Sequence, residues 1–187
     1  MRFVLIGPPG SGKGTQASRL SEHYGVPTVS FGEVFSAHKE EGTELGEKAA
    51  EHMDAGELVP DEIVVSMARK RLAEPDVADG FLLDGFPRTE PQAEELETIL
   101  SEAGTPLDAA VYLQVPDDVV VGRLAQRSES EDRSDDDEQT VRNRLRVFSE
   151  STAPLLEFYR QRHLLVEIQG DGSTDEVFDR IVADMPS

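Results

Sequence analysis

Apolar residues in this chain come in short bursts and helical repeats, never in one long run. Phe3-Val4-Leu5-Ile6 is a branched apolar run of the kind that forms a strand buried on both faces. Ala17, Leu20 and Tyr24 follow at helical spacing and predict a helix beginning near Lys13. Pro27 to Ser30 reads as a second short strand. From Phe31 to Gly56 the pattern breaks into short amphipathic pieces, Val34 with Phe35 and then Leu45 with Ala49 and Met53. That predicts a small helical insertion in which Thr43 caps a helix. Pro60-Asp61-Glu62 opens another helix, with Ile63, Val64, Met67, Ala68 and Leu72 on its apolar face. Residues 81–84, 109–115 and 164–168 are further strands, and 90–103, 117–126 and 174–185 further helices. A polar run from Ser128 to Glu138 precedes a helix through Val141, Leu145 and Phe148, with Asp136 and Gln139 at capping-box spacing. Pro154 begins or kinks a further helix to Arg162. Five strands alternating with helices make an α/β fold, a five-stranded parallel sheet with helices on both faces. At 187 residues this is one domain.

The first break in the pattern carries chemistry. Gly7-Pro8-Pro9-Gly10-Ser11-Gly12-Lys13-Gly14-Thr15 fits the phosphate-loop spacing, a glycine, four residues, then Gly-Lys. It sits between a strand and a helix, as such a loop must. Its glycines let backbone N–H groups turn inward, and the helix N-terminus adds positive potential. Lys13 would reach the outer phosphates, and the Thr15 hydroxyl would support Mg²⁺. Asp84, at the carboxyl end of a buried strand, is the acid that would hold the same ion through water. Arg88 follows four residues later, beyond Pro87.

Composition alters the electrostatics of that picture. There are 38 acidic residues against 18 basic ones, a net charge of −20, and only Lys13, Lys39, Lys48 and Lys70 are lysines. Such a chain repels itself at low salt and repels nucleic acid. An acid-rich, lysine-poor composition fits a halophile with a salt-filled cytoplasm; an ordinary acidic cytosolic protein is the alternative. In either case a site for anionic phosphates has to be a basic island. Arg123, Arg127, Arg133, Arg142, Arg144 and Arg146 fall within 24 residues and form one. Arg123 and Arg127 share a helix face, and of Arg142, Arg144 and Arg146 only one is expected to point at a crevice. Delivered by a mobile polar loop, such arginines would stabilise a phosphoryl group in flight, and closure would exclude water. No apolar run approaches the ~20 residues that span a membrane. With no cysteine there is no disulfide and no thiolate metal site. The cytoplasm is the expected location, and a monomer the expected form.

Three motifs together resemble one family. They are Gly10-Ser11-Gly12-Lys13-Gly14-Thr15-Gln16, Asp84-Gly85-Phe86-Pro87-Arg88-Thr89 with Gln92, and the run from Asp136 through Gln139-Thr140-Val141-Arg142 to Arg144-Leu145. The chain resembles the adenylate kinases, within the nucleoside monophosphate kinases, over nearly its whole length. The resemblance implies a P-loop nucleoside triphosphate hydrolase-like fold with two mobile pieces, a monophosphate-binding insertion at 30–59 and a short lid at 127–133 that binds no zinc, in agreement with the absence of cysteine. It implies reversible phosphoryl transfer from Mg-ATP to AMP, giving two ADP. Gly10, Ser11, Gly12, Lys13, Gly14 and Thr15 would then cradle the ATP phosphates, with Arg123 and Gly172 beside ATP. Arg88 would hold the AMP phosphate and Gln92 its adenine. Glu57, Leu58, Val59, Gly85, Phe86 and Pro87 would line the AMP pocket. Arg127, Arg133 and Arg144 would grip the transferring group, the last two also touching AMP.

Two positions depart from the family. Phe31 stands where the family has a threonine against the adenine, and Ser36 where it has an arginine against the AMP phosphate. Phe31 could stack on the base instead. The departures leave UMP, CMP or another monophosphate open as acceptor. A switch protein that closes on ATP without transfer is the alternative of another class.

Overall fold

The computed structural model describes residues 1–54, 57–130 and 138–186. Among these, the strands are β1 (Arg2–Ile6), β2 (Thr28–Ser30), β3 (Phe81–Asp84), β4 (Ala109–Gln114) and β5 (Leu165–Gln169). They form one all-parallel sheet in the order β2-β3-β1-β4-β5. The helices are α1 (Lys13–Tyr24), α2 (Phe31–Glu40), α3 (Glu44–Asp54), α4 (Asp61–Leu72), α5 (Glu90–Glu102), α6 (Asp117–Ser130), α7 (Glu138–Val147), α8 (Pro154–Gln161) and α9 (Thr174–Asp184).

The period-two alternation of β1 divides the core. Phe3 and Leu5 face α1 and α9, packing with Leu20, Val177 and Ile181. Val4 and Ile6 face the other side, where Phe35, Met67, Leu96 and Leu155 come from α2, α4, α5 and α8. Both layers are made of buried apolar side chains, so the central strands are buried on both faces, as their unbroken apolar runs predict.

Sheet order places the site. β1 has β3 on one side and β4 on the other, so the connections leaving the sheet diverge at its carboxyl end, which is where parallel sheets open a ligand crevice. The register pairs Leu5 with Asp84 and Ser30 with Asp84. The strand-ending acid therefore stands between the end of β2 and the loop after β1.

Several boundaries differ from the expected ones, each for a local reason. Thr43 caps α3 as expected, accepting from Gly46 N–H while donating to His38 O. β2 begins at Thr28, because Pro27 has no N–H to give; its carbonyl still accepts from Leu82 N–H at 2.9 Å. α6 runs on to Ser130, past the predicted end at Gln126. The polar residues there include Arg and Glu, good helix formers, and nothing like Gly or Pro stops them. Helix α7 runs into a wide π turn, Phe148–Thr152, in which Ala153 N–H reaches back five residues to Phe148 O, and Pro154 opens α8 beyond it. Asp136 of the expected capping box lies outside the described residues.

Candidate active site

The loop between β1 and α1 is built around backbone conformations that side chains disfavour. Gly10 and Gly12 have φ of 80° and 92°, and a Cβ on Gly10 would come within 2.9 Å of Leu124 Cγ. The loop thus packs on α6 with no room between, and its turn is closed by Ser11 N–H donating to Pro8 O. Lys13 folds across the loop and donates to Gly7 O at 2.7 Å and Pro8 O at 3.0 Å. This is the nest-and-lysine arrangement that phosphate oxygens bind.

The loop forms one wall of a crevice of about 1060 Å³. Gly10, Ser11, Gly12, Lys13, Gly14 and Thr15 all line it, and so does Asp84. Arg123 and Gly172 stand at one end. Arg123 spans two segments, donating to Ser11 O at 3.3 Å and Gly170 O at 3.1 Å. It thereby ties the phosphate loop to the turn between β5 and α9. Gln16, buried at the start of α1, makes a second tie through Nε2 to Thr174 O at 3.0 Å. Gln16 closes the first motif in the sequence, but nothing in the sequence says which segment it reaches.

At the other end lie Glu57, Leu58, Val59, Gly85, Pro87, Arg88 and Gln92, with Arg144 from α7. Arg88 donates through Nε to Gly85 O at 2.9 Å, and its backbone N–H donates to Gln92 Oε1 at 2.8 Å. Desolvation by the surrounding protein atoms pulls the Arg88 pKa down; Asp84 opposes the shift and the charge of Arg144 adds to it. An arginine remains charged through such a shift. The Arg88 side chain is itself open to solvent at the crevice, so an incoming phosphate can reach it, and a guanidinium beside a second arginine is a strong receptor for a multiply charged phosphate. Of the three arginines on α7, Arg144 alone lines the crevice, while Arg146 is exposed and paired with Glu150 at 2.6 Å.

Two expected contacts fall elsewhere. Phe31 is fully buried and Phe86 is 1% exposed, and the two rings stack on each other behind the crevice wall. Phe31 therefore presents no face for a base to stack on, which corrects that expectation: the ring takes the better-buried place, in the apolar layer under α2. Phe86 sits in the same layer and does not line the crevice. Arg127 belongs to helical backbone, α6, and not to a loop, while Arg133 and the rest of the 127–133 segment from 131 onward lie outside the described residues, as does the Arg127 side chain.

Among the described residues no cluster of three or more His, Cys, Asp or Glu side chains could hold a metal ion by itself. Mg²⁺ needs no such cage. It keeps several waters and takes one or two carboxylates together with substrate phosphates. The Thr15 hydroxyl and the Asp84 carboxylate, both at the crevice, fit that donor set.

Residues 5–164 match the family model for adenylate kinase. The chain is 51% identical to the adenylate kinase of a Nocardioides species over 181 residues, 97% of this chain and 95% of the relative. It is 50% identical to that of Thermobifida fusca over 187 residues, 100% of this chain and 99% of the relative. It is 50% identical to that of Xanthomonas campestris pv. campestris over 181 residues, 97% of each.

Proposed function

This chain belongs to the adenylate kinase family, and we propose that its crevice transfers the γ-phosphoryl group of Mg-ATP to AMP, reversibly, giving two ADP. The observation that carries the reading is the pairing of subsites in one crevice. The phosphate loop and Arg123 stand at one end, Arg88 and Gln92 at the other, with Asp84 and Arg144 also on the walls.

In this reading ATP lies with its phosphates on residues 10–15 and its base between Arg123 and the turn at Gly172. AMP lies with its phosphate on Arg88 and its adenine at Gln92, against Leu58 and Val59. A phosphate oxygen of AMP attacks the γ-phosphorus, and the bond from that phosphorus to the β,γ-bridging oxygen breaks. The bridging oxygen leaves with its electron pair on ADP. Lys13, Arg88 and Arg144, with Arg127 and Arg133, hold the charge on the oxygens in flight. Mg²⁺ bound with ATP, held by Thr15 and Asp84 through water, would neutralise phosphate charge and draw electrons from the leaving oxygen. Little covalent help is needed; position and charge account for most of the acceleration.

We read residues 1–187 as one kinase domain, with 30–59 as the monophosphate-binding insertion and 127–133 as a short, zinc-free lid. The packing of α2 on α3 supports the first assignment. The few residues between α6 and α7 support the second. One chain lines both subsites, so a monomer suffices, and free nucleotides in the cytoplasm are the substrates proposed. The net charge of −20 is read as adaptation to high salt. Turnover with ATP and each of AMP, IMP, UMP and CMP tests the function. AMP is expected to give the highest kcat/KM. Equal rates across the set would overturn the acceptor assignment, and binding without transfer would make the protein a switch.

A further inference from the structure

Gln92 is 1% exposed and lines the acceptor end of the crevice, and both ends of its amide are already engaged. Its Oε1 accepts from Arg88 N–H at 2.8 Å, and its Nε2 donates to Asp61 Oδ1 at 2.7 Å. The same Asp61 oxygen accepts from Thr89 Oγ1 at 3.1 Å, and Thr89 in turn caps α5 by accepting from Gln92 N–H. A free amide can turn over and exchange its nitrogen for its oxygen. This one is held: a backbone N–H can only donate, and a carboxylate can only accept. Each partner fixes the same sense.

What remains is one N–H and one lone pair, side by side and in a set order. A base edge reads that order. A 6-amino purine carries a donor on its exocyclic nitrogen and an acceptor on the neighbouring ring nitrogen; a 6-keto purine carries them reversed. An amide able to turn would serve both.

We propose that Asp61 is a positioning residue for acceptor choice: it locks the Gln92 amide in one sense, so that the crevice takes a 6-amino purine monophosphate over its 6-keto counterpart. The proposal rests on the reading of Gln92 as the acceptor-base contact. Asp61 touches no reacting atom and acts through Gln92.

The test is kcat/KM for AMP relative to IMP, with KM for ATP measured on the same preparations. Asp61→Ala is expected to lower the AMP/IMP ratio about tenfold, the scale of one charge-assisted hydrogen bond, with KM for ATP unchanged. Asp61→Asn keeps an oxygen at the shared acceptor position and is expected to restore most of the ratio. In a Gln92→Ala background, Asp61→Ala should change the ratio no further, because the group it positions is gone. Should Asp61→Ala fail to fold, Asp61→Ser, too short to reach Gln92 in the same way, is read in its place. A folded variant with the wild-type ratio overturns the role of Asp61 and leaves the kinase reading intact. The same drop with and without Gln92 also overturns it, since a merely structural role would act that way. A wild-type enzyme that uses AMP and IMP equally overturns the amide lock and the acceptor assignment, while phosphoryl transfer itself stands.

Discussion

Phe31 lies against Phe86 with ring centroids 4.6 Å apart and 28° between the ring planes, and Phe35 meets the edge of Phe31 at 6.1 Å. This cluster ties the start of α2 to the segment after β3 that carries Arg88. Removing the Phe31 ring leaves a cavity where collapse is limited by the sheet below. Phe31→Ala is expected to cost about 3–5 kcal/mol in stability, read from urea denaturation at constant m. Phe31→Thr, the family's residue type, empties the same space and buries a hydroxyl. It too should destabilise, and it should not improve the KM for AMP. Phe31→Leu, closer in volume, should keep the KM for AMP near wild type. A large rise in that KM with stability intact would put the ring in contact with the base after all.

Ser36 is exposed on α2, donates to Gly32 O at 3.0 Å, and does not line the crevice. The resemblance implies an arginine at this position that would contact the acceptor phosphate, and an added charged hydrogen bond is worth about 1.5–3 kcal/mol. Ser36→Arg is therefore expected to lower the KM for AMP by roughly tenfold or more, with the KM for ATP unchanged. Ser36→Ala should match wild type. Initial rates with each nucleotide varied in turn check both, and an unmoved KM for AMP in Ser36→Arg would show that α2 does not reach the acceptor phosphate.

Arg123 makes two hydrogen bonds in two directions, to Ser11 O and Gly170 O. A lysine has the charge but not the fork, so it can keep one of these contacts at a time. Arg123→Lys should raise the KM for ATP, roughly tenfold, and leave the KM for AMP within error. Equal rises in both constants would mean that Arg123 supports the whole crevice and not its donor end.

Legibility in the sequence followed the range of the interactions. β1, α1 and the phosphate loop were readable because their signals are local: a four-residue apolar run, a helical repeat and glycine spacing. Asp84 and Arg88 were readable because strand ends meet at one edge of a parallel sheet. The fate of Phe31 was not, since a phenylalanine beside a binding motif is equally consistent with a stacking surface and a core residue; only the position of Phe86 decides. Nor could the sequence pair Asp61 with Gln92, which are 31 positions apart on two helices. Their partnership comes from how α4 and α5 pack. α6 runs past Gln126 because helix propensity, and not polarity, decides where a helix without Gly or Pro ends.

Salt supplies the last prediction, because two electrostatic effects of opposite sign compete. Surface ion pairs such as Arg71 with Asp76 at 2.6 Å and Arg160 with Glu157 at 2.7 Å weaken as salt screens them. Exposed pairs of this kind contribute about 0–1 kcal/mol each. Against them stands repulsion among the acids. With 38 acids and 18 bases, at least 20 acids lack a basic partner even if every base is paired one to one. Raising salt from 0.1 to 1 M shortens the screening length from about 10 to about 3 Å, which removes repulsion between neighbouring surface acids while close pairs keep part of their attraction. Repulsion is the larger and longer-ranged effect, so stability should rise with salt. At this chain length each kcal/mol recovered raises Tm by roughly 2–4 °C. Thermal melts in 0.1, 0.5, 1 and 2 M sodium chloride are expected to show a continuous rise in Tm, and activity should follow it. A Tm already maximal at 0.1 M would overturn the high-salt reading, and would show that the excess acids are spaced widely enough for water alone to separate them.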